Sequence, residues 1–197
     1  MILTDTVIEI QEVLQQKLGE ERYLHSQGVM YTAAALAMVH DQTTQKDLVE
    51  KSLLAGILHD CGKFGSLKEQ EQLCIELQVN LTPAEIQHPN LIHAKLGAHL
   101  AKTKYRVTDL DVLAAIRNHT VGRENMSLLE KIIYMADLIE PWRPHYPRIE
   151  EIRLLAFTDI DQAIALSTAE VIRHLQRSGR EVDPSILVTL KHYGGEV

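Results

Sequence analysis

The sequence predicts an all-α protein, and three observations indicate this fold class. Motifs typical of helix starts recur along the whole 197-residue chain. Runs of Ala, Leu and Ile dominate while the chain has only 10 Gly and 6 Pro, a composition that favours helices. No segment shows the strict alternation of apolar and polar residues that predicts a strand. We therefore expect one helical domain over residues 1–197, with a motif-bearing core at about 20–140 and a helical C-terminal extension at about 147–193.

Capping motifs predict where several helices begin. In a capping box, a Ser or Thr and an acidic residue three positions later each accept a hydrogen bond from the backbone N–H of the other. This spacing occurs at Thr6 with Glu9, Ser66 with Glu69, and Ser127 with Glu130. Thr82, Pro83 and Glu85 predict a further short helix, which Pro89 interrupts.

Apolar spacing and helix breakers predict the remaining helices. We expect them over 23–39, from Thr44 or Lys46 to Cys61, from Asn90 to about 103, from Thr108 to about 118, over 148–157 and 159–178, and from Asp183-Pro184 onward. Gly62 is expected to end the third helix. Pro141 is expected to end the helix that Ser127 begins.

Charge and composition narrow the classes of function. A net charge of −7 argues against a general nucleic-acid binder, which needs a broad basic surface. A small phosphorylated substrate remains compatible, since it needs only local positive charge. Cys61 and Cys74 give no disulfide framework. The amino terminus has no signal-peptide pattern and no apolar run is long enough to span a membrane, so we expect a cytoplasmic protein with no membrane partner.

Six polar side chains in apolar surroundings predict a metal site. The apolar run 53–58 leads directly into His59 and Asp60, and a buried carboxylate needs a cation or hydrogen-bond donors. With His25 on the second helix and Asp137 inside an apolar stretch, these residues form an N2O2 set suited to a divalent metal. The candidate ligands of a second metal are His93 and His119, and Asp60 has two oxygens that could bridge the two ions.

The histidines, Asp137 and Cys61 also allow interpretations that involve no metal. A single histidine on an apolar helix is usually a hydrogen-bonded core or boundary residue. We assign four of the ten histidines to that class: His40, His99, His174 and His192. His88, which precedes Pro89, could cap a helix, pack or support a metal ligand, and His145 in the proline-rich loop could contact substrate or only solvent. Asp137 could instead pair with Lys131 or Arg143, and Cys61 is expected to be a packing residue.

The same residues carry a resemblance to a known family. The order of His25, His59-Asp60 and Asp137 resembles the HD-domain metal phosphohydrolases, and His93 with His119 resembles the subset that holds two metals. The segments 119–123 (HTVGR) and 131–141 (KIIYMADLIEP) are similar to the bacterial YqeK-type symmetrical bis(5′-nucleosyl)-tetraphosphatases. The resemblance spans residues 20 to 193 and implies a single HD-domain helical bundle.

The resemblance implies a hydrolase that uses iron to cleave diadenosine tetraphosphate symmetrically, to two ADP. The ligand types alone also permit manganese, cobalt, nickel or zinc. Two cations that share a carboxylate lower the pKa of a water molecule bound between them. Lys63 and Arg123 are expected to stabilise the negative charge that develops on the phosphate, with Thr120 and Arg143 as further substrate contacts. Lys68 is a weaker candidate for contact with the substrate.

Other functions remain as alternatives. One is an HD-type phosphohydrolase or phosphodiesterase that acts on another nucleotide. The least favoured is a nonenzymatic helical module that binds a nucleotide or a protein. Three aromatic residues could stack on a nucleobase or simply pack in the protein: Tyr134, Trp142 and Tyr146. Apolar residues of the first or last helix could serve a homodimer or the core.

Overall fold

The computed structural model describes residues 3–41 and 46–196, and within them the secondary structure is entirely helical. The α-helices are α1 (Leu3–Lys17), α2 (Glu20–His40), α3 (Lys46–Leu58), α4 (Leu67–Glu76), α5 (Pro83–Gln87), α6 (Ile92–Thr103), α7 (Leu110–Asn118), α8 (Leu128–Ile139), α9 (Ile149–Thr158), α10 (Ile160–Arg177) and α11 (Pro184–His192). A 3₁₀ turn at Pro89–Leu91 precedes α6. The all-α prediction is confirmed. No helix of the described ranges has the length and apolarity that a membrane crossing requires.

The helices pack around a central pair, α2 and α3. Helix α8 lies against both, and α7 lies against α3, α6 and α8. The fully buried apolar side chains of α2, α3, α7 and α8, among them Leu36, Ile57, Ile116 and Ile133, belong to one continuous apolar core. Helix α10 packs against α8, α9 and α11. The ends of α2, α3, α6, α7 and α8 therefore meet in the interior, which is where the candidate site lies.

Three of the predicted N-terminal caps form capping boxes with both hydrogen bonds present. Ser66 with Glu69, Thr82 with Glu85, and Ser127 with Glu130 each form both bonds of the box. Asp183 caps α11, with Pro184 in its first turn, as predicted. Asp109 rather than Thr108 caps α7, because its carboxylate accepts the N–H groups of Asp111 and Val112.

Besides Thr108, three predicted helix ends are wrong. Helix α1 begins at Leu3, so Thr6 lies inside it and cannot cap it. Asn90 lies in the 3₁₀ turn, and α6 begins without a side-chain cap. Helix α3 ends at Leu58 rather than Cys61, so His59 and Asp60 occupy the turn that follows. The alternative start of this helix at Thr44 lies outside the described residues.

Gly62 and Gly97 allow the turn after α3 to touch α6. A Cβ atom at Gly62 would lie 2.4 Å from the carbonyl oxygen of His93 and 2.6 Å from the backbone nitrogen of Gly97. A Cβ atom at Gly97 would lie 3.4 Å from the carbonyl oxygen of His59. This close approach holds the segment of His59 beside the helix of His93, so Gly62 acts through packing rather than as a helix terminator.

Cys61 is buried at this contact, and we expect its thiol to be unreactive in the folded protein. Its Sγ donates to the carbonyl oxygen of Gly97 at 3.4 Å, and burial raises its pKa to about 12. Only the thiolate reacts with disulfide reagents. Incubation with a thiol reagent at pH 8, followed by peptide mass spectrometry, should leave Cys61 unmodified until denaturant is added. Rapid labelling of native Cys61 would contradict this packing.

Candidate metal centre

The structure brings together the six side chains that the sequence singled out. His25 comes from α2, His59 and Asp60 from the turn after α3, His93 from the first turn of α6, His119 from the end of α7, and Asp137 from α8. The four imidazoles and Asp60 are buried, with His59 having no exposed surface. The Asp137 side chain is 15% exposed, so one edge of the cluster reaches solvent. Polar groups that are far apart in sequence thus share one interior site.

A first group of potential metal donors, from His25, His59 and Asp137, lies near one oxygen of Asp60. The Nε2 atom of His25 lies 3.2 Å from Nε2 of His59 and 3.0 Å from Oδ1 of Asp137. The Oδ2 atom of Asp60 lies 3.6 Å from Nε2 of His59 and 3.8 Å from Nε2 of His25. These two nitrogens and two oxygens are the N2O2 set expected from the sequence.

A second group, the imidazoles of His93 and His119, lies near the other oxygen of Asp60. The Nε2 atoms of His93 and His119 are 3.2 Å apart. They lie 3.3 Å and 3.6 Å, respectively, from Oδ1 of Asp60. The carboxylate of Asp60 therefore stands between the two groups and presents one oxygen to each.

Acceptors on the protein orient all four imidazoles. The Nδ1 atoms of His59, His93 and His119 each donate at 2.7 Å to the carbonyl oxygen three residues earlier in the chain. The Nδ1 atom of His25 donates instead to Oε1 of Glu140 at 3.0 Å. A proton held on Nδ1 leaves the lone pair on Nε2, which is the tautomer that a metal ligand needs.

An unsatisfied oxygen indicates that the site suits a cation. Within the described residues, Oδ1 of Asp60 is buried and has no hydrogen-bond partner. A buried carboxylate oxygen without a donor is costly. A divalent cation between this oxygen, His93 and His119 would satisfy it, and the mixed imidazole and carboxylate donors suit such an ion. The residues present therefore fit a metal.

Burial and charge favour the metal-binding protonation states of His59, His93 and Asp60, whereas the nearby carboxylates favour the protonated form of His119. Burial lowers the pKa of His59 to about 4 and that of His93 to about 3, so both imidazoles are neutral at pH 7. Burial acts to raise the pKa of Asp60, but the neighbouring His59 and His119 hold it well below its usual range. The pKa of His119 itself is raised, because the attraction of the Asp60 and Asp137 carboxylates exceeds the opposing effect of burial.

Two arginines and a lysine reach the carboxylates of the site. Arg22 Nη1 donates to Oδ2 of Asp60 at 2.8 Å, and Nζ of Lys63 lies 3.8 Å from the same oxygen. Arg143 pairs with the carboxylate of Asp137 and donates from Nε to its carbonyl oxygen at 2.6 Å. The pairing of Asp137 with Arg143, which the sequence left open, is thus present.

Sequence reasoning missed Arg22 and Glu140. Arg22 precedes His25 by three residues on α2, and this helical spacing could have indicated a shared face. Glu140 lies within the family-like segment 131–141, but its role as the acceptor for His25 depends on how α2 and α8 pack. Lys131, the other partner proposed for Asp137, pairs with Asp161 at 2.7 Å.

Arg123 and Thr120 lie beside the site rather than in it. Both line a cavity of about 510 Å³ next to His119. The Arg123 guanidinium makes two bonds to the carboxylate of Glu130, whose side chain has no exposed surface. Among the described residues no contact joins Arg123 to the six donor side chains, so its role as a substrate contact stays a prediction.

The three aromatic candidates differ in exposure. Tyr134 is buried and its hydroxyl is hydrogen-bonded to Thr168 Oγ1 at 2.9 Å, as in the core-packing interpretation. The hydroxyl of Tyr146 donates to the carbonyl oxygen of Leu138 at 3.1 Å. Trp142 is 59% exposed and covers Gly28, where a Cβ atom would lie 2.8 Å from the indole ring.

Comparisons with known proteins agree with this architecture. Residues 22–142 match the model of the HD domain family. The chain is 39% identical to a symmetrical bis(5′-nucleosyl)-tetraphosphatase of Bacillus subtilis (strain 168), over 89% of this chain and 91% of the relative. A protein of the same name from Halalkalibacterium halodurans is also 39% identical, over 90% of this chain and 91% of the relative.

A solved structure shares the whole fold. It is described as a predicted HD superfamily hydrolase involved in NAD metabolism, from Clostridium acetobutylicum. It has a TM-score of 0.86 and 36% identity to this chain, and the match covers 94% of this chain and 95% of the other. Matches of this extent, together with the clustered histidines and aspartates, show that the chain belongs to the HD domain family and is a metal-dependent phosphohydrolase.

Proposed function

We propose that this protein hydrolyses diadenosine tetraphosphate and related dinucleoside tetraphosphates symmetrically, to two nucleoside diphosphates. The observation that carries the proposal is the carboxylate of Asp60, which presents one oxygen to each of two groups of imidazole donors. Two relatives of nearly equal length, both named symmetrical bis(5′-nucleosyl)-tetraphosphatase, support the choice of substrate.

The proposed cofactor is a pair of iron ions. His25, His59, Asp60 and Asp137 would hold one ion, and Asp60, His93 and His119 would hold the other. When bound, the two cations supply positive charge for the phosphate oxygens and lower the pKa of a water molecule. The family resemblance favours iron, and the donor types also permit manganese, cobalt, nickel or zinc.

Basic side chains on two sides of the cluster would bind the phosphate chain. Lys63 and Arg22 stand within 3.8 Å of Asp60, and Arg143 adds a third cation at Asp137. These three cationic side chains would stabilise the negative charge that develops on the phosphate during attack, because the protein holds them in place. Arg123 and Thr120 would contact the substrate from the adjoining cavity. Symmetrical cleavage requires that the second phosphorus from one nucleoside lie at the cluster.

The setting of this activity is also part of the proposal. We infer a cytoplasmic enzyme that acts on small nucleotides and has no nucleic-acid partner, consistent with the net charge of −7. A homodimer is supported by apolar side chains left exposed on the first and last helices: Ile8, Val13, Leu187 and Val188.

Product analysis tests the proposed reaction. The protein is loaded in turn with Fe²⁺, Mn²⁺, Co²⁺, Ni²⁺ and Zn²⁺, incubated with diadenosine tetraphosphate, and the nucleotides are separated by chromatography. ADP as the only product is the expected result. AMP with ATP would show asymmetric cleavage and contradict the proposal. Absence of turnover with every metal, together with hydrolysis of another nucleotide, would favour the alternative HD-type activity.

A further inference from the structure

His25 differs from the other three imidazoles of the cluster in its position on a helix. The others lie at helix ends or in turns, and each reaches a carbonyl oxygen of its own segment. His25 lies inside the 21-residue helix α2, where the carbonyl groups accept hydrogen bonds from the helix itself. The carbonyl oxygen three residues earlier, that of Arg22, also accepts from Ser26 Oγ at 3.0 Å. An acceptor for Nδ1 of His25 must therefore come from another part of the fold.

The C-terminal end of α8 supplies this acceptor. Nδ1 of His25 donates to Oε1 of Glu140 at 3.0 Å, while Nε2 of the same ring lies 3.0 Å from Oδ1 of Asp137. Asp137 lies in the last turn of α8, and Glu140 directly follows the helix. One helix end thus places a carboxylate against each nitrogen of the ring, with Asp137 on the side of the metal donors and Glu140 behind the ring.

The Glu140 carboxylate is buried without a cationic partner. Its side chain is 2% exposed, and its Oε2 accepts from the backbone N–H of Trp142 at 2.7 Å. Among the residues that the structure describes, no Lys or Arg pairs with this carboxylate, and Arg143 acts on it only at longer range. A buried carboxylate is costly unless positive charge balances it. A cation bound at Nε2 of His25 would supply that charge through the imidazole ring.

Helix α2 has a glycine where the Glu140 carboxylate touches it. Gly28 lies three residues after His25, and a Cβ atom there would lie 2.6 Å from Oε2 of Glu140 and 2.8 Å from the indole of Trp142. Any larger residue at this position would displace the carboxylate from its place beside the ring. The absence of a side chain at Gly28 therefore allows Glu140 to reach His25.

We propose that Glu140 is the positioning residue of the first metal group: it holds His25 in the tautomer and orientation that bind an ion, and its negative charge strengthens that binding. Among the described residues, Glu140 contacts neither imidazole of the second group, so only the first ion depends on it. This inference rests on the two-ion centre of the proposed function.

The role requires a carboxylate because two N–H donors point at its two oxygens, one from His25 and one from Trp142. An amide offers one oxygen and one NH₂ group, so it satisfies only one of these donors. If the NH₂ group faced His25, the ring proton would move to Nε2, and the lone pair that faces the metal donors would be lost. Glu140→Gln therefore removes both the charge and the fixed tautomer while keeping the shape of the side chain.

Competition between the protein and a chelator for Co²⁺ tests this role. Glu140→Gln should weaken the binding of one of the two ions about ten- to hundredfold and leave the other within about twofold. The visible absorption of bound Co²⁺ identifies the weakened ion, which should be the one that Asp137→Asn also loses. Gly28→Ala keeps the charge of Glu140 but displaces its carboxylate, so it should weaken the same ion by a smaller factor.

Two control variants change the same regions and leave the carboxylate in place. Arg153 donates to the carbonyl oxygens of Ile139 at 3.1 Å and Glu140 at 3.2 Å, so Arg153→Ala loosens the turn after α8 without removing the bond to His25. Gly19→Ala adds a methyl group at the start of α2, where a Cβ atom has no neighbour within 4 Å. Both controls should bind both ions as the wild-type protein does.

The outcomes separate this inference from the proposed function. Wild-type affinity for both ions in Glu140→Gln, equal weakening of both ions, or the same weakening in Arg153→Ala would each overturn the inference. If Glu140→Gln does not fold, Gly28→Ala decides in the same way. The measurement needs no substrate, so a protein that shows the expected Co²⁺ binding but does not cleave diadenosine tetraphosphate would contradict only the proposed reaction. A wild-type protein that binds no ion would overturn both proposals.

Discussion

Asp60→Asn is expected to abolish binding of both proposed metal ions and to lower turnover more than about a thousandfold, which corresponds to roughly 4 kcal/mol of transition-state stabilisation. The Asp60 carboxylate faces His25 and His59 with Oδ2, and His93 and His119 with Oδ1. An amide has nearly the same shape but carries no charge and only one oxygen, so it can serve neither group as the carboxylate does. Metal analysis by mass spectrometry and a turnover assay measure the two effects.

Two further variants make this test specific to the bridge. Asp137→Asn removes a donor of the first group only, so it should lose one ion per chain where Asp60→Asn loses two. Asp161→Asn changes an exposed carboxylate that pairs with Lys131 and should lose none. Full metal content and activity in Asp60→Asn would remove Asp60 from the bridging role.

Glu130→Ala is expected to destabilise the folded protein by about 3 kcal/mol, because it removes several hydrogen bonds to a buried charge. The Glu130 carboxylate accepts from Arg123, from Asn118 Nδ2 at 2.6 Å and from the backbone nitrogen of Ser127 at 2.7 Å. Its pKa is lowered against the effect of burial, mainly by the Arg123 hydrogen bond. Denaturant unfolding with a linear extrapolation measures the loss.

The chain offers a matched control for this variant. Glu69 has the same capping-box role at α4, but it is exposed and its carboxylate accepts hydrogen bonds from Ser66. Glu69→Ala should therefore cost clearly less stability than Glu130→Ala, and equal losses would show that burial of Glu130 adds nothing. Arg123→Ala separates the roles of the pair, since a fall in turnover larger than its effect on stability would support contact of Arg123 with substrate.

The sequence predicts helix ends well where the signal is local. The boxes at Ser66, Thr82 and Ser127 need only residues that are three positions apart, and all three form. Thr6 has the same pattern, but nothing in Leu3, Thr4 or Asp5 stops the helix from extending backward past it. A capping motif therefore predicts a helix start only where the preceding residues cannot continue the helix.

In the candidate site, too, the sequence predicts the residues that local patterns mark but not the contacts that depend on helix packing. His25, His59, Asp60, His93, His119 and Asp137 could be chosen from sequence because polar groups stand out in apolar segments and because their order resembles a family. Arg22 could not be paired with Asp60 in this way, since the two are 38 residues apart and meet only through the packing of α2 on α3. The closure of Arg123 onto Glu130 likewise depends on the approach of α7 to α8.

The backbone hydrogen bonds of the imidazoles determine how the protein can exchange its ions. Because His59, His93 and His119 are each anchored to a carbonyl oxygen in their own segment, their ring orientations are fixed when the chain folds. The conformational entropy of ordering these rings is thus lost during folding and not again when an ion enters. The imidazole donors are thus ordered before an ion enters, so an ion can leave and be replaced without unfolding of the bundle.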